Sequence, residues 1–382
     1  MIKIDDRLIV TTDWHFGLAL NSVSKLNILV KVVRRIVADA RAGKIKHVLF
    51  LGDMFHNRNT LDLRVLNVAI KCVDLLTSYC KLYLVVGNHD TYNKTSNEVN
   101  SVNVFRNNRN VTIVEKPEVA EICGKKCLLA PWLTDFSQYR DGEFDMMAGH
   151  FDIDQKYLVE SYAIMHSEAV GGPAPTASDK RRVNSNIGEF VMKAKPGGTV
   201  LAGHIHTRKE FTVKRRKFVF VGSPYQQNLG EAGGSCGYYV MDRDSLEFVE
   251  ISDTPRHVDV RMSDILKEGI DKFDFSRYSG QIVRKVYDVE VDRVLDGKIT
   301  QKVQDVMPYE ELTPDYDVQV SYEDASGKTV NESVDLIRKS KLEYMKSYIA
   351  SMDKGLLEKE EIEPDRLYRI MESYYDRVSE GK

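Results

Sequence analysis

The chain has 382 residues, 42% hydrophobic and 29% charged, with a formal net charge of −3. That composition excludes wholesale disorder, and no run of about 18 apolar residues offers a membrane-spanning helix. Five cysteines, at positions 72, 80, 123, 127 and 236, cannot all pair, so a disulfide framework is excluded as well.

Met1 to Val10 reads as a strand and lacks the charged and apolar regions of a signal peptide, so a cytoplasmic location is expected. Leu8-Ile9-Val10 runs into Thr11-Thr12-Asp13-Trp14-His15. Leu26, Leu29, Val30, Val33, Ile36, Val37 and Ala40 then fall on one helical face, with Gly43 just past its end. Val48-Leu49-Phe50-Leu51 leads to Gly52-Asp53. Leu63, Leu66, Ile70, Val73 and Leu76 mark a second helix, and Leu82 to Val86 leads to Gly87-Asn88-His89-Asp90. Strand, helix, strand, helix, strand is the α/β pattern, with strands apolar enough to be buried on both faces.

Further along, Cys123 and Cys127 flank Gly124-Lys125-Lys126, which reads as a hairpin turn or as half of a zinc site. Met146-Met147-Ala148 leads to Gly149-His150, and Val200-Leu201-Ala202 leads to Gly203-His204-Ile205-His206. Residues 161–199 are irregular, a long surface loop followed by a short helix near Ile187 to Ala194. Lys217–Gly222 and Gly237–Met241 read as strands.

Asp253-Thr254-Pro255 marks a boundary, followed by a small α+β unit. Leu342, Met345, Ile349 and Met352, then Leu367, Met371, Tyr374 and Val378, predict two amphipathic helices that pack on their own domain or dock on a partner. The expected domains are therefore 1–254, 255–328 and 329–382. Charge divides unevenly along the chain. Residues 1–286 carry 40 Lys+Arg against 34 Asp+Glu, and residues 287–326 carry 3 against 11. The basic runs Lys180-Arg181-Arg182 and Lys214-Arg215-Arg216-Lys217 are solvated faces unless they lie beside a phosphate-handling site.

Six of the nine histidines, His15, His56, His89, His150, His204 and His206, follow apolar strands, together with Asp13, Asp53 and Asn88. In an open α/β sheet the loops leaving the carboxyl ends of strands converge on one crevice. Imidazole, carboxylate and amide oxygen, without thiolate, suit a divalent ion such as Mn²⁺, Fe²⁺ or Zn²⁺. Seven candidate ligands suffice for two ions if one carboxylate bridges them.

Asp13-x-His15, Gly52-Asp53, Gly87-Asn88-His89-Asp90, Gly149-His150 and Gly203-His204-x-His206 resemble, in order, the five motifs of the calcineurin-like metallophosphoesterases. Gly52-Asp53-Met54-Phe55-His56 resembles the version in SbcD-type, Mre-like DNA nucleases, which include the phage recombination nuclease subunit. The resemblance covers about residues 5–250. It implies an α/β fold: a two-sheet β-sandwich flanked by helices, with a small α+β DNA-capping domain and C-terminal helices.

The resemblance also implies two divalent ions, Mn²⁺ by family expectation and Mg²⁺ as the alternative. Asp13, His15, Asp53 and His206 would hold the first, and Asp53, Asn88, His150 and His204 the second. His89 would act on the leaving sugar oxygen or steady the phosphate, Asp90 would set the tautomer of His89, and His56 would help handle the DNA end. Gly222-Ser223-Pro224 resembles a family element near the site, for substrate contact or as a plain turn, and Trp14 reads as a packing residue.

The activity implied is a 3′-5′ exonuclease on double-stranded ends and an endonuclease on single strands or hairpins. Its setting would be DNA repair, recombination and replication. The implied partners are DNA, an SbcC-like coiled-coil ATPase and a second copy of the chain, with no membrane, in the host cytoplasm if the chain is phage-encoded. Arg256, Lys267, Lys272 and Arg284-Lys285 are expected to face the DNA. Two other readings share the motifs: a phosphatase or small-molecule phosphodiesterase, and a DNA-end tether with a decayed site.

Overall fold

The computed structural model describes residues 2–93, 95–151 and 187–306, and three short strands between 313 and 331. The elements run β1 (Lys3–Ile4), β2 (Leu8–Thr11), α1 (Val23–Ala42), β3 (His47–Phe50), α2 (Leu63–Thr77), β4 (Lys81–Val85), β5 (Val111–Val114), β6 (Glu118–Ile122), β7 (Lys125–Ala130) and β8 (Phe144–Gly149). They continue with α3 (Ile187–Lys193), β9 (Ala194–Ala202), β10 (Lys209–Val213), β11 (Arg216–Phe220), β12 (Gly237–Met241) and β13 (Leu246–Glu250). One sheet has the order β13-β12-β2-β3-β4-β5, with β2 to β5 parallel. The other has the order β1-β6-β7-β8-β9-β11-β10. The N-terminal stretch is thus two strands rather than one, and each joins a different sheet.

Side chains alternate along a strand, so each central strand serves two cores. Leu8, Val10, Leu49, Leu51 and Val85 of one sheet meet Ile122, Cys127, Leu129, Met146 and Leu201 of the other. The alternate residues of the seven-stranded sheet, among them Leu128, Met147, Val200 and Phe218, pack with Phe190 and Val191 of α3. Within β8 the parity changes. Phe144 lies in the outer core while Met146 and Ala148 face the inner one, because the register against β9 shifts between Phe144 and Met146. The two-sheet sandwich that the resemblance implies is present.

Ser22 caps α1 by accepting from Lys25 N, and Gly43 follows its last turn. The helix buries Leu26, Leu29, Val33, Ile36, Val37 and Ala40 as the spacing predicts, and also Ile28 and Val32, while Val30 is only half-buried. Helix α2 departs further. It buries Val65, Ala69, Cys72, Val73 and Leu76, leaves Leu66 and Ile70 half-buried, and exposes 74% of Leu63. Cys123 and Gly124 make the hairpin turn between β6 and β7, at φ 51° and 71°. All five cysteines are buried free thiols, and among the described residues none joins a metal-binding group. Pro196-Gly197-Gly198, expected in a loop, lies within β9, with Pro196 and Gly197 exposed and Gly198 buried.

The chain divides into two compact units, Met1–His257 with Gly280–Ile282, and Val258–Ser279 with the residues from Val283 onward. The second unit contains β14 (His257–Arg261), α4 (Met262–Glu268), β15 (Ile282–Tyr287), α5 (Arg293–Val306) and β16 (Thr313–Tyr316), with β15 at the centre of a three-stranded sheet. Val260, Met262, Ile265, Phe273, Val283, Ile299 and Val303 form its core. Three of the cations expected to face DNA are neutralised within the chain. Arg256 pairs with Glu250 at 2.6 Å, Arg284 with Asp259 at 2.7 Å, and the buried Lys285 with Asp296 at 2.8 Å. The two helices predicted after Gly327, and residues 161–186 of the long loop, lie outside the described residues. No helix among the described residues is long and apolar enough to cross a membrane.

The basic run at 214–217 is the tip of the β10–β11 hairpin, at the opposite end of these strands from the loop of His204 and His206. Arg216 is buried, and donates through Nε to Ala194 O and through Nη1 to Lys214 O, both at 2.6 Å. It is a structural arginine. We predict that Arg216→Met lowers stability by about 2 kcal/mol by stranding two carbonyls. Arg215→Ala should change it by less than about 0.5 kcal/mol. The denaturant midpoints of the two variants check the contrast.

Candidate metal centre

Five loops bring the predicted residues together. Three leave the carboxyl ends of parallel strands β2, β3 and β4, and two leave β8 and β9 of the other sheet. The crevice therefore straddles both sheets instead of lying over one open sheet. Backbone bonds fix the loops to one another. Asp13 N donates to Gly52 O (3.0 Å), His15 N to Asp53 O (3.1 Å) and Gly203 N to Gly149 O (2.9 Å). Gly52, at φ 96°, has no room for a Cβ because His150 Nδ1 would lie 2.5 Å from it.

The carboxylates each commit one oxygen to the scaffold and present the other. Asp13 Oδ2 accepts from Thr12 Oγ1 (2.7 Å) and His204 N (3.1 Å), while its buried Oδ1 has no hydrogen-bond partner. That free oxygen lies 3.7 Å from His15 Nε2 and 3.8 Å from His206 Nε2. Asp53 Oδ1 accepts from His89 N at 2.7 Å. Its Oδ2 lies between two groups of side chains, 3.5 Å from His15 Nε2 and 3.4 Å from His150 Nε2.

The first group is Asp13, His15 and His206, and the second is Asp53, His150 and His204. Asn88 belongs with the second. Its Oδ1 approaches His150 Nε2 at 2.8 Å, His204 Nδ1 at 2.9 Å and Asp53 Oδ2 at 3.2 Å. His150 Nδ1 donates to Leu51 O at 2.7 Å, so in the neutral ring Nε2 is a lone pair. His206 Nδ1 lies 3.0 Å from Glu231 Oε1, so its Nε2 likewise carries a lone pair, 3.1 Å from His15 Nε2. In the second group the Asn88 oxygen thus faces the lone pair of a neutral His150, and in the first His15 Nδ1 and Asp13 Oδ1 are left without a partner even when His15 Nε2 serves His206. Reversing the Asn88 amide would relieve the second group alone, since its NH₂ would then donate to His204, His150 and Asp53. A cation in each group satisfies both with the amide as it stands, so the donor set fits two ions.

The charges agree. Burial opposes ionisation of Asp53, but His150, His15 and His89 outweigh it and hold its carboxyl well below the usual carboxylate range. Burial opposes protonation of His150, yet Asp53 and Asp13 raise it to about 9. His206 also moves up, against burial, through Glu231 and Asp13. In the metal-free chain, a proton on His150 stands in for a cation.

His89 and His56 lie beside the ligands, their rings stacked at 5.4 Å and 16°. Burial lowers both, His56 to about 4 with help from His15 and His89, so both are neutral at pH 7. His89 Nδ1 lies 2.6 Å from His56 O, and that carbonyl sets its tautomer. Asp90, expected in that role, is placed differently. Its carboxylate accepts from Gly87 N, Asp53 N, Met54 N and Phe55 N, and so ties the second motif to the third. Burial and the Asp53 charge push it up to about 7 against those four donors.

Three residues near the centre escaped the sequence reading. Glu231 is buried against His206, held by Gln227 N (2.8 Å) and Asn228 Nδ2 (2.8 Å), in a loop whose sequence carries no metal signature. Trp132 lies 5.4 Å from the His204 ring, at a 32° tilt. Arg58 places Nη2 3.0 Å from the Asn88 amide nitrogen, and its spacing from His56 was the only hint. Ser223 positions the loop by donating N–H to His206 O at 2.8 Å, and Trp14 is a buried packing residue as expected.

The calcineurin-like phosphoesterase model matches residues 6–208, more than half of the chain and all seven predicted ligands. No curated protein matches. Among solved structures, one described as a novel archaeal phosphodiesterase is 15% identical, covering 64% of this chain and 98% of its own, with a TM-score of 0.32.

Because a proton occupies a ring that an ion would use, Mn²⁺ binding at pH 7–8 should release about one proton per chain. Apparent affinity should rise with pH towards about 9, where His150 loses its proton. Calorimetry in buffers of different ionisation enthalpy measures the release. Heats that do not depend on the buffer would contradict it.

Proposed function

This chain belongs to the calcineurin-like phosphoesterase family, whose members hydrolyse phosphoesters with two divalent ions, and on that premise we propose that it is an SbcD-type DNA nuclease. In this reading it removes nucleotides 3′ to 5′ from double-stranded ends and cuts single strands or hairpins. It acts as the nuclease subunit of an SbcCD-like complex in DNA repair, recombination and replication, beside a coiled-coil ATPase. The observation that carries the reading is the stacked His56–His89 pair next to a full set of ligands, on the Gly52-Asp53-Met54-Phe55-His56 version of the second motif.

When bound, two divalent ions, Mn²⁺ by expectation, supply neutralisation of the phosphate and activation of the attacking water. Asp13, His15, His206 and Asp53 would hold one, and Asp53, Asn88, His150 and His204 the other. The chain itself supplies the rest. His89 gives Nδ1–H to the His56 carbonyl and keeps Nε2 bare, so Nε2 is the atom that would take up a proton from solvent and hand it to the leaving sugar oxygen. His56 packs that ring in place. Asp90 and Asp53 hold the backbone on which His89 sits.

A homodimer is part of the proposal. Leu63 and Val99 are 74% and 63% exposed, and Leu66 and Ile70, on the same helix as Leu63, are half-buried. An apolar surface of this kind is commonly covered by a partner. Sedimentation of the purified chain should give a dimer, and Leu63→Glu with Val99→Glu should give a monomer. A wild-type monomer at micromolar concentration would overturn this part.

An end-labelled duplex should lose 3′ nucleotides with Mn²⁺, and lose none with chelator. His89→Ala should slow cleavage by about 10²–10⁴-fold while Mn²⁺ binding persists. Turnover of a small phosphate ester with no cleavage of duplex or single strand would reassign the chain to a phosphatase or small-molecule phosphodiesterase.

A further inference from the structure

The chain has two tryptophans, and they behave differently. Trp14 is wholly buried, and its Nε1 donates to Thr11 Oγ1 at 3.0 Å. That is the pattern of a packing indole, whose N–H is paired where water cannot reach it. Trp132 does neither. It is half-buried, and among the described residues its Nε1 has no hydrogen-bond partner and is not one of the buried unpaired atoms, so it reaches solvent. Its ring lies 5.4 Å from that of His204 and 6.2 Å from that of His150, both candidate ligands of the second ion. The next residue, Leu133, is 46% exposed. The backbone holds this apolar pair in place. Trp132 N donates to Val86 O at 2.9 Å, Asn97 Nδ2 donates to Trp132 O, and the turn closes from Thr134 N to Pro131 O at 3.2 Å. Leu133 takes φ 63° in that turn, a left-handed conformation that a bulky side chain rarely adopts. The chain thus accepts strain to keep an indole at the rim of the centre.

We infer that Trp132 is a stacking platform for a nucleobase of the substrate, carried by a nucleotide next to the phosphate being cut. The inference rests on the nuclease reading above and names one subsite of it. The ligand class follows from the surface. A flat, uncharged, partly desolvated ring attracts another π face and offers a bare phosphate no more than one N–H. The location follows from the neighbours. A nucleic acid carries a base one sugar away from each phosphate, so a phosphate seated at His150 and His204 brings a base to the rim where the indole stands. Every base has a π face, so stacking is tolerant of sequence. That suits an enzyme that removes nucleotides whatever their identity.

The test uses the full chain with Mn²⁺ and two single strands of equal length, oligothymidylate and a strand of abasic tetrahydrofuran residues. Trp132→Ala should raise KM for oligothymidylate by about 5- to 150-fold, with kcat and Mn²⁺ affinity little changed. Trp132→Phe, which keeps a π face and most of the volume, should raise it less. On the abasic strand the wild type should already show the high KM, and Trp132→Ala should change it by less than about twofold. Fluorescence gives a readout without turnover. Oligothymidylate should quench the tryptophan emission of a slow His89→Ala chain, the abasic strand should not, and adding Trp132→Phe should abolish the quenching. An equal rise in KM on both strands, or a loss of Mn²⁺ affinity in Trp132→Ala, would show that the indole acts through His204 and overturn the platform. Saturating oligothymidylate that leaves the emission unchanged would overturn it without any substitution at Trp132. If the loaded wild type cut neither duplex nor single strand, the nuclease reading itself would fall. That outcome is told apart because it appears before any substitution is made.

Discussion

The structure depends on a concentration of unshared lone pairs. Asp13 Oδ1, Asp53 Oδ2, Asn88 Oδ1 and ring nitrogens of His15, His150, His204 and His206 converge in a buried space. Removing such groups from water costs several kcal/mol for each ionised one unless an opposite charge arrives with it. A proton on His150 answers part of that demand, and divalent cations would answer it fully. The remaining atoms of the same side chains are already committed. Asp13 Oδ2, Asp53 Oδ1, His150 Nδ1 and His206 Nδ1 each have a partner in the scaffold, so the presented atoms cannot turn away.

Holding them there strains the backbone. Asp13, His15, Asp53 and His204 all sit in the left-handed region, at φ 53°, 49°, 60° and 78°. Each such residue costs roughly 1–2 kcal/mol. The strain persists because the loops on either side begin in strands buried on both faces, and because they are laced by main-chain bonds. Asp90 contributes most to that lacing, with four N–H groups from two motifs on one carboxylate. It is a residue of the site through the positions it fixes, and it does not touch the His89 ring.

The sequence made the strands and the ligands legible for one reason: both obey short-range rules. Apolar runs ending in glycine mark buried strands, and a ligand follows directly in the next turn. What stayed hidden depends on long-range contact. Nothing near Glu231 signals that a loop 25 residues on will return to His206 Nδ1. Trp132 follows a strand as many packing tryptophans do, and only the fold sets it over His204. The face of α2 was misread because its apolar residues are spread more widely than one stripe. Val65 and Ala69 turned out to be the buried positions, and Leu63 the exposed one. The shift in β8 depends on the partner strand and leaves no mark in its own sequence.

The two halves of the centre are not electrostatically equal. On the first side, Asp13 and the shared Asp53 face two histidines, and Glu231 backs one of them through Nδ1. A carboxylate behind a ligating imidazole makes the ring a better donor and adds negative charge nearby. On the second side the shared Asp53 is joined by a neutral amide and two histidines, and His150 is backed by a peptide carbonyl, a weaker acceptor. In the two-ion reading the first ion is therefore the more firmly held, and the second is the exchangeable one.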